Sequence, residues 1–158
     1  MSYGALVELK ADTALRYVRH AYAQLLAVAD RLGDDRVNER PLGPSTNAVA
    51  ALIFHCCGVA EFWLGHVGTG RPSTRDRDGE FSRTATVAEL HAAVDASLRQ
   101  IELDLAAIHA GTASKHAAGR QLLLDGDESD AALVLHVIEE LYQHLGHAEL
   151  AADALLAD

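Results

Sequence analysis

From Ala48 to Val67 the chain reads AVAALIFHCCGVAEFWLGHV, which is apolar on almost every side of a helix. A surface helix carries one apolar stripe, whereas a helix that is apolar all round must be packed over most of its circumference. Ser45, Thr46 or Asn47 can cap this segment, and Gly68 and Gly70 end it. Its surroundings must come from the rest of the chain, where three more segments have helical spacing. The first runs from about Leu6 to Leu32, with Leu15, Val18, Tyr22, Leu25, Ala29 and Leu32 on one face and Gly33 as its stop. Thr86 and Glu89 match a capping box that opens a third helix carrying Val87, Leu90, Val94, Leu98, Ile101, Leu105 and Ile108 and ending near Gly111. Ser129 or Asp127 can cap a fourth, from about Asp130 to Leu156. The expected fold class is therefore all-α, a four-helix bundle in a single domain over residues 1–158, with long connections between helices two and three and between helices three and four. In the second of these, Leu122, Leu123 and Leu124 either cover the bundle end or make a short strand.

Composition agrees and excludes several function classes. Nearly half the residues are apolar but only 5% are aromatic, a bias toward alanine and leucine that favours helices. With 13 Lys+Arg against 23 Asp+Glu, the net charge of −10 argues against binding to nucleic acid or to an anionic membrane surface. No apolar run approaches the ~20 residues needed to span a bilayer. Cys56 and Cys57 are adjacent, a spacing that rarely meets disulfide geometry, and no secretory-signal pattern precedes them; a cytoplasmic location is expected.

Chemistry concentrates in the fourth helix. His136, Glu140, His144 and His147 fall within an arc of roughly 80° at ~100° per residue, forming one stripe. His144 points into the apolar arc of Leu133, Val137, Leu141 and Leu145, and Glu140 lies one turn before it. Such a pair can present a carboxylate oxygen and an imidazole nitrogen to one divalent metal, or it can be a polar seam. A third ligand has to come from elsewhere, and His55 interrupts the apolar second helix. A buried imidazole needs a partner, either a metal or a backbone carbonyl. Cys56 and Cys57 rank below it, since a free cysteine in an apolar helix is usually a small core residue. If helices two and four are neighbours, His55, Glu140 and His144 make a two-histidine, one-carboxylate set with an open position, suited to zinc and compatible with nickel or iron. His136 and His147 would then support the ligands or transfer protons. In the mixed-charge connection after helix two, Arg71, Arg75 and Arg77 either contact an anionic substrate or are simply solvated.

Two stretches, HCCGVAEFWL around His55 and HVIEELYQHLGHAEL from His136, make the chain resemble the DinB/YfiT-like superfamily of metal-binding four-helix bundles. It is particularly similar to an actinobacterial branch whose last helix carries a Glu-x-x-x-His-x-Gly-His-Ala pattern, here Glu140 to Ala148. Many members use one histidine from helix two and two histidines four apart on the last helix. His55 and His144 match the outer two, while Glu140 replaces the middle one, as in the His/Glu/His zinc set of the similar mycothiol-dependent maleylpyruvate isomerases. His147 stands where many relatives have glutamine. The resemblance implies a metal-dependent enzyme that activates a low-molecular-weight thiol such as mycothiol, as an S-transferase or isomerase acting on a small molecule. A hydrolase with a metal-bound water, or a noncatalytic metal-binding or dimeric bundle, are the alternatives; a fourth protein ligand from His147, His136 or Cys56 would favour the last. A homodimer is expected.

Overall fold

The apolar spacing resolves into four long helices. The computed structural model describes residues 9–111 and 119–157. Helix α1 spans Ala11–Arg36, α2 Val49–Ala60, the short α3 Arg77–Glu80, α4 Val87–His109 and α5 Asp130–Leu156. Helix α2 runs on into a π-helical segment, Glu61–Gly68, and two 3₁₀ turns, Arg120–Leu122 and Leu124–Gly126, precede α5. The fold is all-helical, with no strand among the described residues. Residues 6–8 of the expected first helix and residues 112–118 of the second connection lie outside them.

Helix α1 packs on α5 and α4, and α2 packs on the same two, so α1 and α2 stand diagonally across the core. Tyr22, Leu25, Leu52, Ile53, Leu64, Leu90, Ile101, Leu133 and Leu141 fill the space between them and are almost wholly sequestered from solvent. This places the apolar α2 directly beside α5, the neighbour relation that the site requires.

Two helix starts follow the sequence and one does not. Thr86 and Glu89 form the reciprocal capping box of α4, and the Ser129 hydroxyl accepts the Ala132 amide at the start of α5. Helix α2 begins after Ala48 with no side-chain cap, because the Ala50 amide donates to the Val37 carbonyl at 3.0 Å. Thr46 is spent on the preceding turn, accepting the Leu42 amide and donating to the Gly43 carbonyl. Gly33 does leave helical geometry, at φ 66°, but the helix resumes for a further turn to Arg36 instead of stopping. In the leucine triplet only Leu123 is buried, and the backbone there is turn.

The expectation that no segment approaches bilayer-spanning length needs revision. Val49–Gly68 forms 20 continuous helical residues of mean hydropathy 1.4, long and apolar enough by that measure, and most of it is buried within the fold. His55, Glu61 and His66 break up the apolar run in sequence without lowering its mean enough to change the outcome.

Candidate metal centre

Two helices supply the converging groups. His55, on α2, is 5% exposed; Glu140 and His144, one turn apart on α5, are partly exposed. Glu140 Oε2 lies 3.7 Å from His55 Nε2 and 3.4 Å from His144 Nε2, and all three donor atoms lie within 4.8 Å of one another. Ligands at 2.0–2.2 Å around a tetrahedral metal stand about 3.3 Å apart, so the spacing suits a shared cation better than direct hydrogen bonding. The His55 and His144 rings meet nearly perpendicularly, with centroids 4.5 Å apart. Burial, reinforced by the neighbouring His55, lowers the pKa of His144, and Glu140 only partly opposes this. His144 thus favours the neutral imidazole that a metal requires. The donor set and its spacing fit a divalent cation; among the described residues the converging group has three members.

The back of His55 is held by a residue that sequence reasoning missed. Glu80, buried at the end of α3, has Oε2 2.9 Å from His55 Nδ1 and also receives Arg75, whose Nε lies 2.7 Å from Oε1 and whose Nη2 lies 3.0 Å from Oε2. Arg75 Nη2 also lies 3.3 Å from His55 Nδ1. The connection after α2 is therefore a strap lying across the helix, and two glycines make room for it. A Cβ on Gly58 would stand 2.0 Å from Glu80 Oε1, and one on Gly65 would stand 2.0 Å from Arg71 Nη2. Arg71 donates to Asp104 on α4 at 2.9 Å and lies 3.6 Å from Glu61, and Ser73 donates to Glu61 at 2.9 Å. Of the three arginines read from sequence as anion contacts, Arg71 and Arg75 are thus matched by carboxylates of the chain itself.

A cleft of about 560 Å³ opens beside the ligands. Its walls include His55, Val59, Phe62, Trp63, Ser73, Arg75, Arg77, Leu122, His136 and Glu140. His136 stands edge-on to Trp63, centroids 4.6 Å apart, and faces the cleft. His147 is exposed on the far side of His144, 6.3 Å between ring centroids, and does not line the cleft. The opposite face of the helix carries Phe54, Cys57, Gly58 and Glu61 into a second cavity of about 510 Å³, which Glu80 also lines and which shares Arg75 with the first. Cys56 belongs to the core, and Cys57 is half-buried at the cavity wall. Cys56 is fully buried, and burial pushes the Cys57 thiol to about 11, so both stay protonated near neutrality.

Compared with known proteins, residues 13–155 match the family model described as Mycothiol-S-transferase. The chain matches no curated protein and no solved structure.

Proposed function

The chain belongs to the mycothiol-S-transferase family, and from that premise we propose that it is a metal-dependent enzyme transferring a small-molecule thiol, of the mycothiol type, to an electrophilic substrate. The observation that carries this reading is the convergence of His55 Nε2, Glu140 Oε2 and His144 Nε2 beside a cleft of about 560 Å³. In this reading the four long helices form one DinB-like four-helix bundle, and these three side chains hold the cation, zinc first and nickel or iron as substitutes. When bound, such a cation supplies a Lewis acid that brings a coordinated thiol's pKa toward neutrality.

The chain's own residues do the rest. Phe62 and Trp63 give the cleft an aromatic wall against which an electrophile is oriented. The thiol S–H bond breaks, His136 accepts the proton, and sulfur forms a bond to the electrophilic carbon as the leaving group departs with its bonding pair. An isomerase would instead eliminate the thiol again. His147 supports His144 from outside the cleft. Arg77 at the cleft wall is better placed than Arg71 or Arg75 to meet an anionic group on the substrate, because those two are held by Asp104 and Glu80. We further propose a cytoplasmic homodimer without nucleic-acid or membrane partners; a monomer in sedimentation at micromolar concentration would exclude the dimer.

The deciding experiment is elemental analysis of untagged wild type, His55→Ala and His144→Ala, followed by an assay of mycothiol consumption with a chromogenic organic halide. About one metal per chain in wild type, lost in both variants together with thiol transfer, is the expected result. Wild type that remains empty when offered zinc, nickel and iron would overturn it. Turnover of an ester or amide without thiol would favour the hydrolase reading, which the same three donors support. A noncatalytic closed site needs a fourth protein ligand, and among the described residues the converging set has three members.

A further inference from the structure

Glu80 is 8% exposed, and a carboxylate this deeply buried in an apolar setting requires specific partners. Arg75 meets it with two prongs, at 2.7 and 3.0 Å, which neutralises its charge and fixes its plane. Its second oxygen faces His55 Nδ1 at 2.9 Å. An unprotonated Nδ1 would set its lone pair against a carboxylate oxygen at that distance, a repulsive contact. Arg75 Nη2 is farther, at 3.3 Å, and already donates to Glu80. Nδ1 therefore carries the proton and donates to Glu80, which leaves the Nε2 lone pair toward Glu140 and His144. The helix is shaped for this arrangement, since a Cβ on Gly58 would lie 2.0 Å from Glu80 Oε1 and 3.0 Å from Arg75 Nε.

We propose that Glu80, clamped by Arg75 in the slot at Gly58, is a positioning residue that holds His55 in the Nδ1–H tautomer with Nε2 aimed into the metal centre. Its functional meaning rests on the metal-centre reading above. A histidine oriented in this way by a carboxylate binds metal more tightly, because the free ring is already in the ligating tautomer and rotamer. The strap is then part of the centre even though it contributes no ligand.

Two variants separate charge from position. Glu80→Gln removes the charge at nearly constant shape, whereas Gly58→Ala keeps the charge and displaces the carboxylate. The full-length protein, labelled with ¹⁵N-histidine and freed of metal, is examined by two-bond ¹H–¹⁵N correlation spectra at pH 8, and zinc affinity is measured by competition with a chromophoric chelator. Circular dichroism checks that each variant is folded, and Gly58→Ala keeps the test open if Glu80→Gln is not. Expected are an Nδ1–H His55 in wild type, a mixture of tautomers in the variants, and zinc binding weakened about 10- to 100-fold. A wild-type His55 protonated at Nε2, or variants that keep both the tautomer and the zinc affinity, would overturn the proposal. If wild type takes no zinc, the metal-centre reading fails, and the metal-free spectra alone decide whether Glu80 sets the tautomer.

Discussion

His136 shows how one residue's surroundings assign it work. Its ring stands edge-on to Trp63, it faces the cleft, and it lies one turn before Glu140, yet it is not among the converging donors. A group so placed can take a proton from a thiol without competing for the cation. His136→Gln is therefore expected to lower turnover about 100-fold or more, the usual contribution of a positioned acid or base, while metal content stays at the wild-type level. Unchanged turnover with saturating thiol would remove His136 from the mechanism. The sequence marks some residues of the centre and not others, for a physical reason. His55 was conspicuous because an imidazole in an apolar run needs a partner, and Glu140 with His144 because four residues is one helical turn. Glu80 left no such mark: it lies 25 residues from His55, in a stretch where acidic and basic residues alternate without period. Its trace was Gly58, a residue that disfavours helix by about 1 kcal/mol relative to alanine, set in a helix otherwise filled with side chains.

At the scale of elements, α2 and the π-helical segment that continues it have two working faces. His55, Val59, Phe62 and Trp63 look toward α5 and the cleft, while Phe54, Cys57, Gly58 and Glu61 look toward the strap and α4. The π-helical turn begins at Glu61, where the two faces meet their cavities; such turns recur at functional sites but have no compositional signature, which is why periodicity alone read this segment as ordinary helix. The strap is pinned at a second point by Arg71, which crosses the π-helical segment over Gly65 to reach Asp104, a carboxylate only 4% exposed. In Gly65→Ala the Cβ takes the place of Arg71 Nη2, and Asp104 loses its cationic partner. The gain in helix propensity is about 1 kcal/mol, but Asp104 keeps only the Gln100 amide, at 2.9 Å, and a buried carboxylate that loses its cationic partner costs about 3 kcal/mol. The net expectation is destabilisation by about 2 kcal/mol in urea unfolding, against stabilisation if propensity dominated. The Thr86 capping box was legible because its donors lie within four residues; the start of α2 was not, because the Ala50 amide finds its acceptor on Val37, thirteen residues away in sequence.

For the molecule as a whole, the acid–base chemistry of the core predicts a one-sided pH response. Tyr22 lies at the centre of the fold, its hydroxyl donating to the Cys56 carbonyl at 3.2 Å and lying 3.1 Å from Ser97 Oγ. Burial raises the pKa of Tyr22 and of Cys56 well above their ordinary values and that of Cys57 from 9.0 to about 11, with the neighbouring thiols reinforcing the rise on Tyr22 and Cys56. All three are neutral when protonated, so the folded protein keeps protons that the unfolded chain releases. Above the ordinary thiol pKa the unfolded state binds fewer protons, and stability falls as pH rises; below it the contribution is fully present. For Cys57 alone, a rise of about 2 units corresponds to about 2.7 kcal/mol, lost progressively as pH climbs from about 9 through 11. Tyr22 and Cys56 extend the loss to higher pH. The melting temperature should therefore vary little from pH 7 to 8.5 and drop steeply beyond pH 9, and Cys57→Ala should make the first part of that drop shallower. A melting temperature that holds to pH 11 in wild type would mean that solvent reaches these groups in the folded state, and that the packing of α1 and α4 against α2 is looser than the buried Tyr22 requires.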